Sequence, residues 1–158
     1  MYLAVGCHNW PGMLMPPTGP GTKHWLTPNG ELWLWQPAPH VIVTRFQGAM
    51  YDSHLAHLAM TAIETVMNTQ ARVDIFHDWE QMELYATKAR AIMTERAVPN
   101  AAKRNSLNVL FNSKVVLMGV SLAALKLGGI NTFTERKAFE QAVREATESE
   151  PGTYKPPA

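Results

Sequence analysis

The amino-acid sequence predicts an α/β domain, a mixed, mostly parallel sheet of about five strands with about four helices packed on it. Three observations carry this expectation. Short runs rich in Val, Ile, Leu and aromatic residues alternate with longer stretches of helical period. Gly, Pro and Asn fall mostly between those runs rather than inside them. Residues able to cap a helix (Asp52 or Ser53, Ser113, Thr134) stand immediately before helical stretches.

Asn29-Gly30 is a turn signal, and Glu31 to Gln36 after it reads as the first strand. Pro37 and Pro39 interrupt, because proline has no N–H to give a strand ladder. The β-branched run His40 to Gln47 is the second strand, stopped by Gly48. Leu55, Leu58, Ala59, Ala62, Ile63, Val66 and Met67 then repeat at i, i+3, i+4 and predict a helix. Arg72 to His77 is the third strand, with Val73, Ile75 and His77 on one face. Met82, Tyr85, Ala86, Ala89, Ile92 and Met93 form the next helical stripe, ended by Pro99-Asn100. Ser106 to Phe111 is the fourth strand, and Lys114 to Leu127 a largely apolar helix closed by Gly128-Gly129. A short strand near Ile130 to Phe133 leads to a last helix carrying Phe139, Ala142, Val143 and Ala146. The predicted order is β-β-α-β-α-β-α-β-α.

Outside this core, residues 1–30 read as an irregular arm: five prolines and five glycines interrupt them, from Gly6 to Gly30. Trp10 and Trp25 are unusual there and suit docking on the domain, while Met13 and Met15 offer alternative starts. Residues 31–148 form the predicted domain, and 149–158 read as a disordered tail. Lys+Arg number 14 against 13 Asp+Glu, so bulk charge gives no reason to expect nucleic acid as a partner. Cys7 is the single cysteine, which excludes an intrachain disulfide and fits a cytoplasmic setting. Leu3 to Cys7 lacks the basic start and apolar run of a lipoprotein signal, and no stretch reaches the ~18–20 apolar residues of a membrane span. Oligomeric state is open, a homodimer included.

Three stretches resemble a known family. They are His77-Asp78-Trp79-Glu80-Gln81-Met82, Asn112-Ser113-Lys114 through Ser121, and Thr132 through Phe139. Together with the element order they resemble the SpoIIAA-like (STAS-like) branch of STAS domains, distantly related to lipid-binding CRAL-TRIO domains. The resemblance implies a bacterial-type regulatory module acting through protein–protein contacts. It also implies a phosphorylatable Ser or Thr at the start of the helix after the third strand. This chain has Asp78-Trp79-Glu80-Gln81-Met82-Glu83 there, without a hydroxyl group, and its acids oppose an added phosphate. Asp78 and Glu80 instead suit constant negative charge at a helix N-terminus, a stabilisation of ~0.3–1 kcal/mol.

In open parallel sheets ligands sit beyond the carboxyl ends of the strands. The candidate binding residues are therefore Asp78, Trp79, Glu80, Asn112, Ser113 and Lys114, with Trp79 as a flat interface anchor. Taken singly, Asp78 and Ser113 read as helix caps and Lys114 as a solvated cation. His54 and His57 at i, i+3 lack the partners a zinc site needs, so no metal or cofactor is expected. A His77, Asp78 and Ser113 triad is disfavoured because neighbours on an extended strand point to opposite faces. Arg90, Arg96, Lys103 and Arg104 read as ordinary solvated surface. The methionines, Met60, Met67, Met82, Met93 and Met118 among them, read as core filler or as an adaptable pocket wall.

The expected function is a non-catalytic STAS-like module that binds a protein partner of unknown identity through the Trp79 edge. The alternative is a domain for a lipid or other apolar small molecule, which needs an enclosed cavity of ~300 Å³ or more. A hydrolase-type enzyme is the least supported reading.

Overall fold

The computed structural model describes residues 15–157. The first part of the expected arm, with Cys7 and Trp10, lies outside the described residues. Six strands form one sheet in chain order, from β1 to β6. They are β1 (Lys23–Thr27), β2 (Gly30–Ala38), β3 (Val41–Gly48), β4 (Val73–Met82), β5 (Arg104–Phe111) and β6 (Asn131–Phe133). The pairs β1–β2 and β2–β3 are antiparallel, whereas β3–β4, β4–β5 and β5–β6 are parallel. The helices are α1 (Ser53–Met67), α2 (Thr87–Ala97), α3 (Lys114–Leu127) and α4 (Arg136–Glu148). A 3-10 turn, Val98–Lys103, opens at Pro99 and joins α2 to β5. The α/β class, mixed sheet and four helices are as the sequence predicts.

The irregular arm expected over 1–30 does not extend to its end, because Lys23–Thr27 is a sixth strand. This five-residue run contains neither Pro nor Gly, so it is free to pair with β2 through the Pro28-Asn29 turn. His24 stacks on Trp33 at 4.9 Å while Trp25 turns to the opposite face, against the core. β2 also runs on through Pro37, where a register irregularity between Trp35 and Ala38 spares the missing N–H. At the hairpin's far end Gly48 has φ +150°, and a Cβ there would stand 2.4 Å from the Gly30 Cα. Asp52 caps α1 by accepting from the Leu55 N–H at 2.9 Å and also accepts from the Asn29 side chain at 3.1 Å. One carboxylate thus ties the turn to the helix.

Alternation along the strands separates two apolar layers. Leu32, Phe46, Ile42 and Ile75 meet α1, α2 and α3 on one face. Trp35, Val41, Val43 and Phe76 meet Phe139, Val143 and Ala146 of α4 on the other. The tail expected to be disordered over 149–158 is instead docked as far as Tyr154. Its ring is buried against Phe76, and its carbonyl accepts from the Asn105 side chain at 2.9 Å. The buried ring completes the α4 layer and, with the Asn105 hydrogen bond, ties this Pro/Gly-flanked segment to the domain. No helix among the described residues is long and apolar enough to cross a membrane.

Candidate functional site

Strand β4 organises the chemistry of this domain. The period-2 face that holds Val73, Ile75 and His77 continues to Trp79, and the opposite face holds Phe76, Asp78 and Glu80. Asp78 and Glu80, expected at a helix N-terminus, lie instead within a strand ten residues long. Parallel pairing accounts for the extension: Arg45 pairs with Asp78 on one side, and Leu110 and Phe111 pair with Asp78 and Trp79 on the other. α2 starts only at Thr87.

Asp78 is buried beneath α4 and does not cap a helix. Arg136 donates to both of its oxygens, at 2.9 and 3.0 Å, and the Arg45 guanidinium stands 4.0 Å away. Arg136 also reaches Glu80 at 3.3 Å and Glu140 at 3.5 Å. Burial pushes the Asp78 carboxyl above its ordinary range, against the pull of Arg136 and Arg45. The cluster thus links β3 and β4 to the first turn of α4. Its carboxylates are occupied by the protein's own arginines.

Trp79 points the other way, into the layer under α1 to α3. It is half-buried, stacked on His77 at 4.7 Å and 15°, and 5.8 Å from Tyr51. It is not the exposed anchor the sequence suggested. Ser113 does cap α3: its hydroxyl accepts from the Val116 N–H at 3.4 Å and donates to the Glu83 carbonyl at 3.1 Å. Asn112 and Ser113 share an open polar hollow with Glu80, Gln81 and Glu83 at the strand ends, and Lys114 is exposed beside it. The six candidate residues are therefore divided among a buried ion cluster, an apolar layer and a solvent-open hollow.

His77, Asp78 and Ser113 form no triad. Asp78 faces α4, whereas the His77 Nδ1 and the Thr44 Oγ1 are hydrogen-bonded at 2.6 Å on the opposite face. Burial pushes the His77 imidazole down to about 3. His54 and His57 are exposed, and among the described residues no group of three His, Cys, Asp or Glu is placed to hold a metal.

The structure also contains a feature that no sequence motif marked, an apolar slot between the sheet and the α2–α3 pair. Its volume is about 90 Å³. Met60 and Met67 of α1, Met82 of β4 and Met93 of α2 line it together with His77 and Trp79. α3 contributes small or branched residues, Val116, Gly119, Val120 and Ala123. Gly119 is required there, because a Cβ would lie 2.5 Å from the Tyr85 hydroxyl. At one end Arg104 donates to the carbonyls of Ala97 at 3.4 Å and Leu127 at 3.1 Å, clamping the C-terminal ends of α2 and α3 to β5. Arg104 and Arg90 both line the slot, and Arg96 pairs with Glu64 at 2.6 Å, so these three do not form the solvated basic surface expected.

The outer face of α3 is the reverse of an ordinary surface helix. Val115, Met118, Leu122 and Leu125 are exposed, Met118 by 65% and Leu125 by 83%. Met118 is therefore not core filler. Apolar periodicity identified α3 as a helix, but apolar residues all round it left the inner face undetermined. Comparison with protein-family models, with characterised proteins and with solved structures finds no match for this chain, so its functional reading rests on the slot and surfaces themselves.

Proposed function

We propose that this domain is a binding module for a small apolar molecule held in the slot beneath α2 and α3. The observation that carries this reading is an apolar cavity walled by four flexible methionines and roofed by a helix whose inner face is small. Methionine side chains re-pack at low cost, so such a wall adapts to its occupant. At about 90 Å³ the slot is smaller than the ~300 Å³ set for a lipid carrier. A compact ring or short chain matches that volume better than a long-chain lipid. The order of strands and helices keeps the STAS-like relation within this proposal, without the phosphoswitch.

The test is to fill the slot. Ala123 lines it from α3, and Ala123→Leu places three further carbons inside. Wild-type protein is expected to bind benzene and 1-hexanol, a compact ring and a short chain, in calorimetric titration. The variant should bind neither while keeping or raising its urea midpoint. Unchanged binding of both by Ala123→Leu would remove the slot as the site.

A protein-binding reading is favoured by a second observation, the exposed stripe on α3. Met118, Leu122 and Leu125 lie at i, i+4, i+7 between Lys114 and Lys126, and the helix carries no carboxylate. The matching partner surface is apolar with acidic margins. This moves the expected interface from the Trp79 edge to α3. A partner identified by cross-linking should lose its cross-links with Met118→Glu/Leu125→Glu and keep them with Trp79→Phe. The opposite pattern would return the interface to the strand-end edge.

A further inference from the structure

Building on the proposed apolar slot, we infer that its ligand is an amphipathic anion, an apolar body ending in a carboxylate held by Arg90. Among the described residues the slot wall contains two arginines and no Asp or Glu. One of these cations is already answered, since Arg104 donates to the carbonyls that end α2 and α3. Arg90 is not. It is half-buried, yet among the described residues neither an acceptor nor a carboxylate meets its guanidinium. Its backbone N–H donates to the Ala86 carbonyl at 3.2 Å, which holds the residue in α2 but leaves the guanidinium unmet among the described residues. By contrast Arg45, Arg96 and Arg136 each face a carboxylate.

Position supports the same assignment. Arg90, Thr94 and Ala97 follow one stripe of α2, and all three line the slot. Arg90 is nearest the helix start, so it stands at the end of that stripe away from Ala97 and its Arg104 clamp. A second donor is also unmet: the Trp79 Nε1 is buried with no hydrogen-bond partner among the described residues, and Trp79 lines the same slot. The wall therefore has donors in excess and no anionic group of its own. A carboxylate supplies both acceptor atoms and the charge, and a guanidinium fork binds it through two parallel hydrogen bonds. The apolar body meets the methionines while the head stays at the half-exposed margin.

Calorimetric titration with hexanoate and 1-hexanol at pH 8 tests this, because the two differ only at the head. Wild-type protein is expected to bind hexanoate about tenfold or more tightly than hexanol, as a charge-assisted pair implies. Arg90→Met should abolish that preference while leaving hexanol affinity unchanged. Lys88→Met removes the same charge from an exposed position on α2 and should preserve the preference. Hexanol binding without an acid preference, or a preference that survives Arg90→Met, overturns the anion assignment and leaves the apolar slot standing. Binding of neither compound overturns both.

Discussion

Asp78→Ala is expected to lower the free energy of unfolding by about 1.5–3 kcal/mol, because it removes both charge-assisted hydrogen bonds that Arg136 makes to Asp78 in a buried site. The Asp78 side chain is 2% exposed and that of Arg136 is 15% exposed. Arg136 donates to both Asp78 oxygens; without them its charge faces, among the described residues, Glu80 and Glu140 at 3.3 and 3.5 Å. The Arg136 Nη1 already lacks a hydrogen bond. Urea unfolding followed by circular dichroism measures the loss. In an Arg136→Leu background Asp78→Ala should cost less than in the wild type, since those two hydrogen bonds are already gone. A loss below about 1 kcal/mol would mean that this buried pair contributes no more than an exposed one.

His77→Gln is expected to flatten the acid limb of the stability curve. The folded imidazole titrates near 3 and the unfolded one near 6.5. Between those values the unfolded chain holds the extra proton, so stability rises with pH there and is complete above the unfolded value. As pH falls below 6.5, His77 removes about 1.4 kcal/mol per pH unit, roughly 4 to 5 kcal/mol over the whole interval. The physical cause is burial: protonation would place a cation against Trp79 and Thr44, in a wall that holds no carboxylate. Equilibrium unfolding at successive pH values checks this for wild type and variant. The wild type should lose stability faster by one proton's worth between pH 6 and pH 4. Parallel curves would place the loss on other groups.

Several elements were legible in the sequence because the signals are local. Ser113 before Lys114, and Gly128 after Leu127, bound α3 where the structure has it. Val73, Ile75 and His77 do share a face, and the same alternation extended two residues further gives the direction of Trp79. That extension was hidden because Asp78 and Glu80 resemble a helix start. A buried charge inside a strand is tolerable only when another group neutralises it. Here that group is Arg136 of α4, which lies 58 positions along the chain from Asp78. The strand Lys23–Thr27 was hidden for a similar reason. Five residues between Gly/Pro-rich segments carry little signal of their own, and pairing with β2 supplies the rest.

The slot was the least legible feature, since its walls come from separate helices and strands. Met60, Met67, Met82 and Met93 look alike in sequence to Met118, yet four line the slot and one faces solvent. The sequence by itself determined the class of the domain, the caps of α1 and α3, and the shared face of Val73, Ile75 and His77. These depend on backbone preference and hydrophobic period, both of which act between near neighbours. Only the tertiary structure decided which charges are neutralised, which face of α3 is covered, and that Arg90 meets an apolar slot without a counter-charge. Those outcomes depend on which distant groups are packed together, and burial sets what each charge then costs.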